Sequence, residues 1–433
     1  MGEDDACRRR HQQRQRHGQY RQHQHHEDLT LELHADVADW NPNVGFRRLL
    51  AVGTYELDEG TQSRHGRLYT YELDLGLEAD DADDADNADG ESATSTRKAS
   101  LRLANTVDSL PGIFDLQFIP TRAPDVSTSS SASSGTSVAM ALADGTVRIV
   151  DACCGEEMAR SGAAEETGAS AMALFVDTLV SPSSTSLAVS YSDGCIRVLD
   201  ALPDGRLVET HGWEAHSLEA WMVTWSRSPA RRGNVVYSGG DDAIFQAWDL
   251  REANAGDTAP ARLFQDRRSH GAGVTCITEL LGASDEANGG DDTLVVTGSY
   301  DNMLRIWDWR NTSRPVLQTS FGMGGGVWRV KPHPSDSSVL LAATMYDGFK
   351  IVQVVDVLGD VDPVNAGEQG GEDDLPRREL VAVERVLQYP AEDRLTDKTL
   401  AYGASWCRAQ EAMGLVATCS FYDNRVSLWS WTP

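Results

Sequence analysis

Along most of this chain apolar positions alternate with polar ones in short runs. Four stretches show the pattern best: ALADGTVRIVD (141–151), SYSDGCIRVLD (190–200), SGGDDAIFQAWD (238–249) and TGSYDNMLRIWD (297–308). In each, small residues lead into an Asp, and alternating apolar residues follow. A period of two is that of a strand with one buried face. The Asp-Gly or Asp-Asn step marks a tight hairpin before it. ATMYDGFKIVQV (343–354) and TCSFYDNRVSLWS (418–430) are weaker copies. A degenerate first copy joins LLAVGTYELDEG (49–60) to GRLYTYEL (66–73). The turn acids are Asp144, Asp193, Asp242, Asp301, Asp347 and Asp423. They recur near the ~40–45-residue period of a four-stranded repeat, stretched where inserts intervene.

One such unit cannot cover its own apolar faces, so the units must stack and close. Trp-Asp pairs at 248–249 and 307–308 are the WD signature. The expected fold is all-β: a seven-bladed WD-repeat β-propeller over residues 29–433. A disordered Arg/Gln/His-rich tail is expected over 1–28, where apolar residues are too few to fold. Loop inserts are expected near 78–98, 126–137, 283–292 and 359–379, rich in acids, serine or glycine.

Charge narrows the partners. Lys and Arg number 38 against 66 Asp and Glu, a net charge of −28. Such a surface repels phosphates, so neither nucleic acid nor a membrane is expected as a partner. The N-terminus has no apolar signal region, and no run approaches the ~20 apolar residues of a membrane span. The seven cysteines form no C-x-x-C pair. A reduced, cytoplasmic monomer without metal or cofactor is the expectation.

Recognisable hydrolase signatures are missing. There is no G-x-S-x-G elbow and no H-E-x-x-H helix. GMGGGV (322–327) leads into a strand pattern, unlike a dinucleotide fingerprint. His216 and His270 precede the blades of Asp242 and Asp301 and invite a triad reading. A structural bond from each His to its turn Asp is the better expectation. A different alignment carries more chemistry. AWMVTW (220–225), VWRVKP (327–332), AYGASW (401–406) and IFDLQF (113–118) fall into register as innermost strands. Their second positions are Trp221, Trp328, Tyr402 and Phe114, which would ring the mouth of the central channel. Such rings could plug the channel or cage a quaternary ammonium group. Asp36 holds the same position in the first blade (ADVADW, 35–40), while Glu219 and Asp115 lie beside it in neighbouring ones. Any of the three acids could activate a water.

The strings WEAHSLEAW, VVYSGGDDAIFQAWDLR, TGSYDNMLRIWDWRN, GGGVWRVKPHP, AATMYDGFKI, LAYGASW and ATCSFYDNRVSLW occur in that order. Together they resemble the diphthine methylesterase family of diphthamide biosynthesis. LLAVGTYEL and GRLYTYEL are similar to that family's first blade. The resemblance spans 36–73 and 110–431, and only the strand pattern supports it over 120–190. It implies hydrolysis of the methyl ester of diphthine, a modified histidine of translation elongation factor 2, before the final amidation to diphthamide. That substrate carries a trimethylammonium group beside its ester. The expected roles are Glu219 as base and Trp221, Trp328, Tyr402 and Phe114 as substrate-holding rings, with Tyr422 at the edge. His216 is the alternative base unless it is tied to Asp242. Backbone amides of Gly324–Gly326 would face the oxyanion. A non-catalytic WD scaffold, or an adaptor with a basic face built on Arg329 and Arg425, is the competing reading.

Overall fold

A computed structural model describes residues 23–76, 98–121, 135–162, 171–181, 184–253, 259–281, 293–309, 314–357, 379–390 and 394–432. The expected inserts fall almost wholly outside these residues, as do residues 1–22 of the expected tail.

The described residues form strands β1 to β28 and one short 3-10 helix. Five sheets are separate and four-stranded: four are meanders of consecutive strands, and the fifth joins the last three strands to β1 (His23–Thr30). A sixth sheet of eight strands is two such meanders, joined where β13 (Arg206–Glu214) runs parallel to β9 (Glu157–Ser161). The first strands of the meanders are β2 (His34–Trp40), β6 (Ile113–Phe118), β10 (Ala173–Val180), β14 (Ala220–Trp225), β18 (Val274–Leu281), β22 (Arg329–Pro332) and β26 (Ala401–Trp406). Each packs against the next, and β26 packs against β2, so the inner strands close a ring. This is the propeller that the repeat pattern predicts.

Hairpin chemistry explains the repeats. The Oδ1 atoms of Asp144, Asp193, Asp242 and Asp301 accept the N–H two residues on, at 2.9 to 3.2 Å. The residue after each turn Asp has positive φ, as at Gly194 (84°) and Asn302 (65°). That conformation favours Gly or Asn, which is why Asp-Gly and Asp-Asn recur. Ala243 adopts it too (φ 60°), without that freedom.

Inner strands are sheet edges, so their unpaired N–H groups need acceptors. Side chains on the neighbouring blade supply them. Asp39 accepts from Phe118 (3.1 Å), Asp115 from Val176 (3.2 Å), Gln117 from Thr178 (2.8 Å) and Asp177 from Trp225 (2.8 Å). Across the closure, Ser405 accepts from Trp40 at 3.1 Å. Apolar clusters fill the space between neighbouring sheets, with Trp40 and Trp429 fully buried.

One boundary differs from the sequence expectation. Residues 23–28, assigned to the tail, belong to β1 (His23–Thr30), which pairs antiparallel with β28 (Arg425–Trp431). The segment looks too polar to fold because it is an outer edge strand. Its stability comes from backbone pairing and from Ser427 donating to Asp28 (2.6 Å), with little apolar burial of its own.

Candidate functional site

One irregularity recurs at the start of the inner strands. The pairing register skips a residue at Asp36, Phe114, Leu174, Trp221, Thr275 and Tyr402. Trp328 stands just before β22, its N–H donating to Ala343 at 2.9 Å. A bulge turns the extra side chain out of the sheet. Trp221, Tyr402 and Phe114 therefore occupy the shared register that the sequence alignment assigned them, and Asp36 occupies it with them.

The rings touch in series. Trp328 stacks on Tyr402, centroids 4.7 Å apart, and meets Trp221 edge-on at 5.7 Å. Tyr402 touches Phe421 (5.3 Å), Phe421 touches Tyr55 (5.7 Å), and Tyr55 touches Phe114 (5.0 Å). Tyr300 lies between Trp221 (6.0 Å) and Trp328 (5.9 Å). The result is an aromatic belt at one channel mouth. A narrow recess there is lined by Phe114, Leu174, Trp221, Thr275, Trp328 and Arg329. Tyr422, 51% exposed, stands outside the belt against Phe421 and His34. Sequence reasoning missed Tyr55, Tyr300 and Phe421. A usable signal existed at Tyr300, where an aromatic directly precedes the turn Asp, as at Tyr346 and Tyr422.

Acids gather beneath the rings. Asp36 is buried, and burial pushes its carboxyl up to about 8; Arg329 opposes the shift and Asp115 adds to it. Arg329 is buried too, with Nη1 2.9 Å from Asp115 and its guanidinium 5.0 Å from the Phe175 centroid. Burial also raises Asp115, against the pull of Arg329. The Tyr300 hydroxyl is raised by burial and then by Asp241, Glu219 and Asp36, so three acids act on one ring. Burial, then Asp36, raises Tyr402 likewise. Trp221 donates its indole N–H to Asp241 at 3.0 Å, and Asp241 N–H donates to the Glu219 carbonyl at 2.8 Å. Glu219 itself is half-buried.

His216 is tied to Asp242, and its expected role as alternative base is corrected here. Its Nδ1 lies 2.9 Å from Asp242 Oδ1 and its Nε2 2.9 Å from Ser238 Oγ. A carboxylate only accepts, so Nδ1 carries the proton and Nε2 accepts from Ser238. Trp248 donates to the same Ser238 oxygen at 3.0 Å. With both ring nitrogens engaged and the side chain fully buried, His216 has no site for a proton from water. His270 repeats only half of this arrangement in the next blade. Its Nε2 lies 2.9 Å from Thr297 Oγ1, to which Trp307 donates. Its Nδ1 makes no hydrogen bond among the described residues, so the expected bond to the turn Asp301 is absent. Arg329 and Arg425 form no basic face: the first is buried on Asp115, and the second lies beside Asp423 (3.6 Å) and Asp28 (4.0 Å).

Among the described residues no three His, Cys, Asp or Glu converge as metal ligands. No helix there is long and apolar enough to cross a membrane.

Residues 262–308 match the model of the WD domain, G-beta repeat. The chain is 29% identical over 232 residues to a Dictyostelium discoideum protein named diphthine methyltransferase homolog, spanning 52% of this chain and 53% of that one. It is 25% identical over 425 residues to the Schizosaccharomyces pombe diphthine methyltransferase, 91% of this chain and 96% of that one. Among solved structures, a chain of a mitotic checkpoint complex aligns with a TM-score of 0.56 over 95% of this chain and 93% of its own, at 14% identity. That likeness speaks for the fold alone.

Proposed function

The chain is a WD-repeat member of the family whose proteins carry the name diphthine methyltransferase, and from that premise we propose that it hydrolyses the methyl ester of diphthine on translation elongation factor 2. A role in the diphthamide pathway follows from the relatives; hydrolysis is the reading proposed here. The observation that carries it is the aromatic belt with Asp36, Glu219 and Asp241 acting on Tyr300. Rings backed by carboxyls suit a trimethylammonium group and leave a base beside it.

In this reading Trp221, Trp328, Tyr402 and Phe114 hold the cationic head, and Tyr422 contacts the substrate at the rim. Glu219 takes a proton from water, whose oxygen attacks the ester carbonyl. Gly324–Gly326 amides donate to the oxyanion; a side chain at Gly326 would come within 3.5 Å of Tyr300, which puts this loop beside the belt. The acyl–oxygen bond breaks, the proton passes to the methoxide, and methanol leaves with the free acid behind. No methyl donor enters the balance, which separates this reaction from the transfer in the relatives' name.

The test is direct. Purified chain is incubated with elongation factor 2 bearing methylated diphthine and no methyl donor. Mass spectrometry should find the peptide lighter by one CH2, with methanol released in equal amount. An intact ester beside folded protein would leave the non-catalytic scaffold as the better reading.

A further inference from the structure

Asp36 is the exception in its set. The other residues at this register position are Phe114, Leu174, Trp221, Thr275, Trp328 and Tyr402, none of them ionic. Asp36 is only 4% exposed. The basic group acting on it is Arg329, which already contacts Asp115 and lies over Phe175. Asp115 is further acted on by Lys331 and by Asp39, so three carboxyls are set against two cations, and with all three ionised the floor of the belt would be one positive charge short. Buried carboxylates need a partner of opposite charge, and here one lacks it.

We propose that Asp36 is the counter-ion of a binding site for an organic ammonium group seated among Trp328, Tyr402 and Tyr300. This inference rests on the channel mouth being the substrate site and states which charge class it selects. The ring faces present negative quadrupoles, and the carboxylate supplies a full charge that a neutral ligand cannot use. The groups facing Asp36 are Arg329 and Asp115, the hydroxyls of Tyr300 and Tyr402, and the Cys419 thiol. Burial raises both tyrosines and the thiol, so they stay neutral through the physiological range. In the empty site burial keeps Asp36 protonated up to about pH 8. An entering cation favours the carboxylate, and one proton leaves for solvent as the ion pair forms.

Choline is the probe, titrated calorimetrically into the full chain in buffers of different ionisation heat. At about pH 7 one proton should be released per choline bound, and affinity should rise nearly tenfold for each pH unit up to about 8. Release should vanish by about pH 10, where Asp36 is already ionised. The neutral carbon isostere, with a tert-butyl group in place of trimethylammonium, should bind at least tenfold more weakly. Asp36→Asn should abolish proton release and cut the preference for charge to the part that the rings supply. Equal binding of choline and isostere, no proton release at about pH 7, or release that survives Asp36→Asn would each overturn the proposal. Wild-type protein alone decides the first two should the variant fail to fold. No arm involves ester cleavage, so this site can fail while hydrolysis stands, and the reverse.

Discussion

Trp328 and Tyr402 stack with centroids 4.7 Å apart and planes 25° from parallel, although 74 positions of chain, from 328 to 402, separate them. They meet because each opens the inner strand of its own meander and the two inner strands are neighbours in the ring. The repeat thus converts a local register into a shared surface. Neither ring is fully buried, so the stack is a face of the channel mouth rather than core.

Replacing Trp328 by Leu keeps an apolar, though smaller, side chain and removes the π face. One cation–π contact is worth about 0.5–2 kcal/mol, so substrate affinity should fall by about two- to thirtyfold. The melting temperature should change little, since the ring is only part-buried. Steady-state kinetics on methylated elongation factor, with thermal unfolding alongside, would check this. Unchanged KM in a folded Trp328→Leu protein would remove the ring from the substrate site.

His216 gives the opposite expectation. Its bonds to Asp242 and Ser238 tie the entering loop to the turn of the same blade. Burial would raise the Asp242 carboxyl, but His216 and the N–H groups of Ser217 and Ile244 together hold it below its ordinary value. His216→Ala leaves Ser238 and Asp242 without that buried partner, at a cost of roughly 2–4 kcal/mol. Urea unfolding should show this loss, while turnover per folded molecule stays near wild type. A collapse of turnover without loss of stability would restore His216 as a base.

The fold was legible because hairpin chemistry repeats. The Asp-Gly and Asp-Asn steps mark positions where φ is positive, and alternation marks strands buried on one face. The shared second position of the inner strands was legible for the same reason. Tyr55 and Phe421 were not, since one lies inside a second strand and the other opens a turn, and no common offset links them. The strand at His23–Thr30 was hidden by its polarity. Its order comes from a partner some 400 residues away, which no local pattern encodes. The ion pair of Arg329 with Asp115 joins two blades and is equally invisible in sequence.

Asp36 should make stability depend on pH in a defined direction. Its carboxyl ionises near 3.8 when exposed and at about 8 in the fold. The native state therefore holds an extra proton between those values. Stability from this group is full below about 4 and is lost as pH rises through 8. Asp36→Asn cannot titrate, so its melting temperature relative to wild type should climb by several degrees between about pH 5 and 9. Thermal unfolding across that range tests it. A difference independent of pH would mean that Asp36 is ionised in the free protein.

Closure of the ring depends on β1. It pairs with β28, and it also reaches the first meander: His26 Nδ1 accepts the Ala99 N–H at 3.3 Å and Glu27 accepts that of Leu101 at 2.7 Å. Deleting residues 1–30 would strip the pairing from Arg425–Trp431 and leave an open edge beside the buried Trp429. Open edges recruit other strands. The truncated protein should unfold at lower urea and associate as concentration rises, seen by light scattering after size exclusion. Deleting only 1–22 spares β1 and should change neither property. If both truncations behaved alike, the ring would be held shut by its inner strands alone, through contacts such as Ser405 with Trp40 across the seam.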